Sequence, residues 1–320
     1  MERIAIVTGE DAPDLTDDGR RLLAALERRG YDAASVRWSD STVDWAHYDA
    51  AVLRSCWKYY LDPSRFRDWL SDLERAGVVV RNPPDVVRWN MHKSYLLELA
   101  EAGVAVVPSV LVEDTRERDL AAILERSGWE RAIVKPTIGT SAAGAWTTTR
   151  ETAPDDQRRF ERRFRGARQH GRTASDGDDG PRLSRRGALV QAFLPEVANG
   201  ERSLVFFGGE YSHAWRDLRT PDSFGVEANF DAEAEYAPAS TTIGWARDVL
   251  RAAVGRLGIE PHSLPYARVD CVMRDDGPVL LELELIEPYL SFADGDGVAD
   301  RLASTIVDSL DAEPPGQNNK

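Results

Sequence analysis

A chain of 320 residues, 42% of them hydrophobic, can bury a real core and hold two or three modest domains. Its formal net charge of -14 argues against nonspecific binding to nucleic acid or to an anionic membrane, since both need a positive surface. No apolar run approaches the ~20 residues that span a bilayer, and Met1-Glu2-Arg3-Ile4 lacks a signal-peptide pattern, so a cytoplasmic protein is expected.

Lysine occurs only at positions 58, 93, 135 and 320, every other basic residue being arginine. An acidic, lysine-poor chain fits adaptation to high salt, where carboxylates stay hydrated and self-repulsion is screened. A GC-rich genome would favour arginine equally well. Cys56 and Cys271 each lie in a strand-like run, which suits small buried apolar residues better than a disulfide or a metal site.

Arg3 to Gly9 is a short apolar run ending in glycine, followed by a helical pattern over Gly19 to Arg29 with Leu22, Leu23 and Leu26 on one face. Asp32 to Trp38 and Tyr48 to Ser55 read as further strands, Pro63 to Ala76 as an amphipathic helix, and Val78-Val79-Val80 as a fourth strand. Strands alternating with helices predict a parallel sheet, so residues 1–84 form a Rossmann-like layer. Its first loop lacks G-x-G-x-x-G and carries no dinucleotide fingerprint.

Asn82-Pro83-Pro84-Asp85 interrupts the pattern and marks a domain boundary. One helix is expected from there to about Glu101, carrying Lys93 among Tyr95, Leu96, Leu97 and Leu99. The central region, 85–187, continues with Val104 to Val107, a helical Leu120 to Leu124, a strand Arg131 to Lys135, a small-residue loop Pro136 to Gly144 and a strand Ala145 to Thr149. From Arg150 to Gly187 charge, glycine and serine dominate; the first half has a helical pattern, and Gly171 to Arg186 is expected to be mobile. The third region, 188–313, holds a strand from Ala188, a hairpin over Leu204 to Ala214, a helix over Ile243 to Leu257 and a second hairpin; 314–320 reads as a disordered tail.

That second hairpin carries too many carboxylates. Val269, Cys271 and Met273 alternate against Leu281, Leu283 and Leu285, leaving a charged opposite face. A three-residue loop Asp275-Asp276-Gly277 pairs Arg274 with Pro278, and therefore Asp270 with Glu282 and Arg268 with Glu284. Like charges opposed across a strand pair are destabilising, so Asp270, Glu282 and Glu284 on one face invite a cation. A solvated face neutralised by Arg268 is the alternative, and a two-residue Asp276-Gly277 turn would shift the register.

Two more stretches bear on chemistry. Lys135-Pro136-x-x-Gly139-Thr140-Ser141-x-x-Gly144 lies between two strand-like runs, where glycines and hydroxyls let backbone N–H groups approach a phosphate beside a lysine. It is not a Walker A loop, and an ordinary hairpin turn is the bland alternative. Gln191-Ala192-Phe193-Leu194-Pro195-Glu196, followed by Gly200-Glu201, combines an apolar strand end able to hold a purine with carboxylates able to chelate a ribose diol.

In this order, the pieces resemble the ATP-grasp superfamily: Lys93 after a small α/β domain, Lys135-Pro136 before a glycine loop, a hinge at Gln191 to Leu194, Glu201, then Arg268-x-Asp270 and a carboxylate pair on the last strand. The chain looks most like the D-cycloserine synthetase branch, with glutathione synthetase and RimK-type ligases further off. Leu53-Arg54-Ser55-x-Trp57-x-Tyr59, Asn82-Pro83-Pro84-x-Val86-Val87-Arg88-Trp89-Asn90, Phe193-Leu194-Pro195-Glu196 and Glu282-Leu283-Glu284-Leu285-Ile286-Glu287-Pro288 carry that likeness.

The resemblance implies an α/β (α+β) ATP-grasp fold with an N-terminal Rossmann-like pre-ATP-grasp domain. By it, Lys93, Lys135, Gly139 and Ser141 meet the nucleotide phosphates, backbone at Gln191, Phe193 and Leu194 meets adenine, and Glu201 binds the ribose with Glu196 as the fallback. Asp270, Glu282 and Glu284 would hold two magnesium ions, with manganese as a substitute. Arg268 would stabilise the transferring phosphoryl group and an acyl phosphate, helped by Arg216 or Arg219. Lys58, where an acidic residue is expected, and Gly225, where arginine is expected after Phe224, depart from the branch in segments that face substrate. His92, His213, Trp57 and Trp89 are read as surface or core residues.

The expected activity is ATP-dependent carbon–nitrogen ligation on an amino-acid-like carboxylate. Its partners would be a small-molecule carboxylate and an amine, and a homodimer is the one protein assembly considered. A noncatalytic ATP-binding module and a purely structural protein are the alternatives from other classes.

Overall fold

The computed structural model describes residues 2–113, 119–140, 142–162, 187–217, 233–292 and 296–311. Strand β1 (Arg3–Thr8) is buried from Ile4 onwards, as a continuous apolar run requires of a strand covered on both faces. It pairs in parallel with β2 (Asp32–Arg37) and β3 (Ala50–Ser55), and β4 (Val79–Arg81) completes a sheet in the order β2-β1-β3-β4.

Helix α1 (Asp17–Arg28) is capped by Thr16, whose side chain accepts from the Gly19 N–H, and packs Leu22 and Leu26 on Ile4, Ile6 and Val52. Helix α2 (Pro63–Arg75), capped by Asp62, packs Phe66, Leu70 and Leu73 on Ala5, Val7 and Leu53 across the sheet. Phe66 is fully buried, stacked on Tyr59 at 4.8 Å and edge-on to Trp38 at 5.1 Å; truncating such a ring costs about 3–5 kcal/mol.

The single helix expected up to Glu101 is two: α3 (Pro84–Asn90) and α4 (Tyr95–Glu101). Lys93 therefore stands in the intervening turn, where its backbone N–H donates to Thr137 O at 2.8 Å. The apolar spacing runs on through the turn without glycine or proline, so periodicity could not reveal the break.

Strands β5 (Ser109–Val112), β6 (Arg131–Pro136), β7 (Trp146–Thr149) and β8 (Ala188–Ala192) form an antiparallel sheet in the order β5-β8-β6-β7. Helices α5 (Leu120–Ser127) and α6 (Ala153–Arg162) back it through Leu120, Ile123 and Phe160. Strand β8 thus joins the strands that precede the charged insert. Gly171 to Arg186 and the tail lie outside the described residues.

The third sheet comprises β9 (Glu201–Phe207), β10 (Glu210–Asp217), β11 (Glu233–Glu235), β12 (Ala267–Arg274) and β13 (Gly277–Glu284), in the order β11-β10-β9-β12-β13. Helix α7 (Ser240–Leu257) covers one face, packing Ala246, Val249 and Leu250 on Leu204, Val269 and Cys271. Helix α8 (Asp296–Asp311) returns to the first domain, where Leu302 and Ile306 join the cluster of Leu22 and Leu26.

Buried polar latches join the parallel layer to the last hairpin. The Tyr266 hydroxyl lies 2.8, 2.9 and 3.0 Å from the carbonyl oxygens of Leu53, Arg81 and Ile286. Asn82 donates to Tyr266 O and Leu285 O, and Asn90 donates to Leu283 O while accepting from the Leu285 N–H. The stretch that reads as a domain boundary is therefore also a clamp on the exit of β13. Both cysteines are buried and free. Among the described residues no helix is long and apolar enough to cross a membrane.

Candidate active site

The β12–β13 hairpin turns through Asp275-Asp276, with Arg274 opposite Gly277, one residue tighter than the three-residue loop expected. That turn alone would put Glu282 on the wrong face. A bulge restores the register: Cys271 pairs with Leu280, Asp270 with Glu282 and Arg268 with Glu284, leaving Leu281 as the extra residue. Asp270, Glu282, Glu284 and Arg268 therefore share one face, the expected arrangement reached by a different route. Val269, Cys271, Leu280 and Leu283 turn to the core under α7.

Each carboxylate on that face meets a cation or donor. Asp270 accepts from Arg268 Nε at 2.9 Å and Nη2 at 2.9 Å, and from the Ser203 hydroxyl at 2.7 Å across β9. Arg268 also donates to Glu284 at 2.5 Å and to Tyr289 O at 2.8 Å. Glu282 Oε1 receives both lysines, Lys135 at 2.9 Å from the end of β6 and Lys93 at 3.3 Å from the turn between α3 and α4. Those lysines lie 147 and 189 residues away in the chain, so only the assembled domains create the cluster.

Electrostatics follow from this packing. Burial favours a neutral Glu282, but the ammonium groups of Lys135 and Lys93 outweigh it and hold the carboxyl well below the usual range. Burial would lower the Lys135 pKa, yet Glu282 draws it upward, with Glu201 and Asp270 adding to the pull. Glu284 is pushed up to about 7 by burial, opposed by Arg268 and reinforced by Asp270 and Glu282. Burial raises Glu287 well above the carboxylate range, with Glu284 adding to it. Arg268 gains more from Asp270 and Glu284 than burial costs it, and stays charged.

The remaining predicted site residues separate into those at the cluster and those elsewhere. Glu201 opens β9 two residues before Ser203, on the face that bears Asp270, and its charge reaches Lys135. Glu196 instead pairs with Arg274 near the hairpin turn, at 3.1 Å. Arg216 is in register with Arg202, which pairs with Cys271, so it lies on the face opposite Arg268. Ser141, Arg219, Phe224 and Gly225 lie outside the described residues. Gly139 lies in the Pro136–Gly144 loop, where an added Cβ would come 3.0 Å from Pro136 Cγ.

At the hinge, Gln191 is buried and donates to the Ser109 hydroxyl. The backbone N–H groups of Ala192 and Phe193 donate to Pro108 O and Arg131 O, and the Phe193 ring carries the Arg131 guanidinium at 3.9 Å. Leu194 packs with Val107, Val197, Val272 and Val279, seating the hinge against the hairpin. Lys58 reaches Asp11 at 2.5 Å. Burial and Lys93 lower His92 to about 4, leaving it a neutral core histidine. His213 lies within hydrogen-bond distance of Leu290 O. Sequence reasoning missed Ser203 and Tyr289 as supports of Asp270 and Arg268; only sheet register reveals the first, and the second acts through its backbone.

Among the described residues no three histidine, cysteine, aspartate or glutamate side chains converge tightly enough to enclose a metal ion by themselves. The donor set on the hairpin is nonetheless all carboxylate oxygen, the chemistry that suits magnesium or manganese when phosphate oxygens complete the shell.

A parallel α/β layer, two antiparallel sheets, and two lysines of the central region meeting a carboxylate hairpin on the last sheet define an ATP-grasp protein. The model of the D-cycloserine synthetase DcsG N-terminal domain matches residues 4–82. The cycloserine biosynthesis protein DcsG of Streptomyces lavendulae is 30% identical over 322 residues, spanning 97% of this chain and 99% of that protein. The crystal structure of D-cycloserine synthetase DcsG superposes with a TM-score of 0.82 at 28% identity, covering 96% of this chain and 99% of that one. The fold is shared with D-alanine–D-alanine ligase from Bacillus anthracis complexed with ATP, at TM-score 0.64 and 16% identity over 97% of each chain. It is shared too with the ATP-grasp ligase PsnB complexed with a minimal precursor, magnesium and ADP, at 0.57 and 15% over 96% of this chain and 98% of that one. The chain belongs to the DcsG-like family of ATP-grasp proteins.

Proposed function

We propose that this protein is an ATP-dependent carboxylate–amine ligase, cycloserine synthetase-like, acting through an acyl phosphate on an amino-acid-like carboxylate. The observation that carries this is the meeting of Lys93 and Lys135 on one oxygen of Glu282, beside Arg268, Asp270 and Glu284. Three carboxylates and three cations leave the cluster close to neutral. A triphosphate brings about four negative charges and two divalent ions cancel them, so the complex can enter without upsetting that balance.

Lys93 and Lys135 would transfer from Glu282 to phosphate oxygens, freeing it, with Asp270 and Glu284, to hold magnesium or manganese. Held there, such ions would supply positive charge that offsets the charge on the phosphates as the γ-phosphoryl group moves. Backbone at Gln191 to Leu194 would meet adenine, and Glu201 the ribose. Arg268, fixed by Asp270, Glu284 and Tyr289 O, presents a preorganised cation to the phosphoryl group and the acyl phosphate. An amine then displaces phosphate. The overlap of this geometry with the family relationship favours catalysis over a passive binding module.

The test is ADP release from Mg·ATP with pools of amino acids and amines, at low and high salt. Substrate-dependent release is expected, and ADP release that no pool stimulates would overturn the ligase reading.

A further inference from the structure

Strand β13 lies at the edge of the third sheet, so its outward backbone groups have no partner strand of that sheet. The segment from Asn82 to Val107 takes the place of one. Leu280 donates to Ala105 O at 2.8 Å and accepts from the Val107 N–H at 3.0 Å. Further along, the Asn90 carboxamide donates to Leu283 O at 2.8 Å and accepts from the Leu285 N–H at 2.9 Å, as a residue of a neighbouring strand would. The Tyr95 hydroxyl accepts from the Leu283 N–H at 3.1 Å, and Asn82 closes the row at Leu285 O.

Asn90 and Tyr95 are both buried, and Leu283, which both of them hold, lies between Glu282 and Glu284. Between the two anchors in the chain stands Lys93, three residues after Asn90 and two before Tyr95. That turn has little freedom left. The Lys93 N–H donates to Thr137 O, Met91 packs in the cluster of Tyr59 and Phe66, and His92 Nδ1 accepts from the Ser94 N–H at 3.3 Å. With Nδ1 an acceptor, the proton of neutral His92 sits on Nε2, 3.3 Å from Glu113 Oε1. A lysine stem is flexible and leaves its ammonium a wide range of positions. Here the backbone at its root is tied to the very strand that carries its partner, and Nζ lies 3.3 Å from Glu282 Oε1. Lys93 cannot shift along β13 without breaking those bonds.

We propose that Asn90 and Tyr95 are positioning residues for Lys93, holding its turn on the edge of β13 so that the ammonium is set to pass from Glu282 to a phosphate oxygen. This rests on the nucleotide site of the ligase reading above and not on the identity of its substrate. Neither residue touches the nucleotide; each acts through Lys93. Misplacing a reacting or binding group by about 1 Å can cost roughly 100-fold, so the loss of one anchor out of two should cost on the order of 10-fold.

A double-mutant cycle on Mg·ATP affinity, measured by calorimetry, tests this. Tyr95→Phe keeps the ring and removes the acceptor for Leu283, while Asn90→Ala removes both bonds of the carboxamide. Each should weaken Mg·ATP binding about 10-fold when Lys93 is present and have no further effect in Lys93→Met, because the group they position is gone. Adenosine, which carries no phosphate, should bind all the variants as it binds wild type. Melting without nucleotide shows which variants fold, and either anchor alone suffices for the cycle. An equal loss with and without Lys93, no loss at all, weakened adenosine binding, or failure of both anchor variants to fold would make the two residues merely structural and overturn the inference. Wild type that binds no Mg·ATP would overturn it together with the nucleotide site. The expected cycle, with ADP release that no amino-acid or amine pool stimulates, would overturn the ligase reading alone.

Discussion

Asp270 and Glu282 stand directly opposite each other on β12 and β13, although the Asp275-Asp276 turn between them would by itself set them on opposite faces. The bulge at Leu281 makes the difference. Deleting Leu281 should restore a regular ladder and leave the pair opposed, at a cost of about 1–3 kcal/mol from lost apolar packing, with Mg·ATP binding retained. Inserting an alanine between Leu281 and Glu282 should turn Glu282 and Glu284 to the other face and abolish nucleotide binding. Thermal stabilisation by Mg·ATP separates the two variants, and an insertion that binds as well as the deletion would contradict the register account.

Arg268 is the cation on which Asp270 and Glu284 both depend. Arg268→Met should destabilise the fold by about 3–5 kcal/mol in urea unfolding at pH 8, because the buried Asp270 and the half-buried Glu284 lose their shared cation. The loss should shrink at acid pH as Glu284 takes up a proton. Arg268→Lys keeps the charge but not the planar fork, so an intermediate loss is expected.

Glu284 gives the site a pH dependence. Its carboxyl is pushed from 4.5 up to about 7, so between these values the unfolded chain has released its proton while the folded chain still holds it. The stability contributed by that bound proton is full below 4.5 and is lost as pH rises to 7. Glu284→Gln should therefore lose less stability than wild type between pH 5 and pH 7, as measured by thermal melts. Metal binding needs the ionised form, so Mg·ATP should release a proton on binding at pH 6 and almost none at pH 8. Equal slopes for both proteins would contradict the assignment.

Much of this architecture is legible in the residues, for physical reasons that differ by region. The parallel layer announces itself through continuous apolar strands such as Ile4 to Val7, alternating with amphipathic helices, because two-sided burial leaves no room for polar positions. Lys135 and the hairpin acids stand out because charge is rare at such strand positions. The helix break at Lys93 left no mark, since a hydrogen bond to Thr137 from a distant loop makes it. The true hairpin turn was obscured because a loop one residue too long and a missing bulge cancel. Arg216 could be assigned a face only after the β9–β10 register was known.

Tyr266 and Asn82 should prove structural and not catalytic. Tyr266→Phe removes one buried donor shared among the carbonyls of Leu53, Arg81 and Ile286, and should cost about 1–3 kcal/mol. Because the hydroxyl links the parallel layer to the hairpin exit, amide exchange should accelerate at Leu285 while the sheet of β5 to β8 keeps its protection. Uniform acceleration across all three sheets would contradict the latch.

The hairpin carboxylates and the two lysines are proposed to hold Mg·ATP together. Calorimetric titration of wild type and of the Asp270→Asn, Glu282→Gln double variant, each with ATP in the presence of magnesium and in its absence, tests it most directly. Magnesium-dependent binding is expected in wild type and its loss in the double variant. Magnesium-dependent binding of equal strength in both proteins would contradict it and leave a passive nucleotide-binding module in its place.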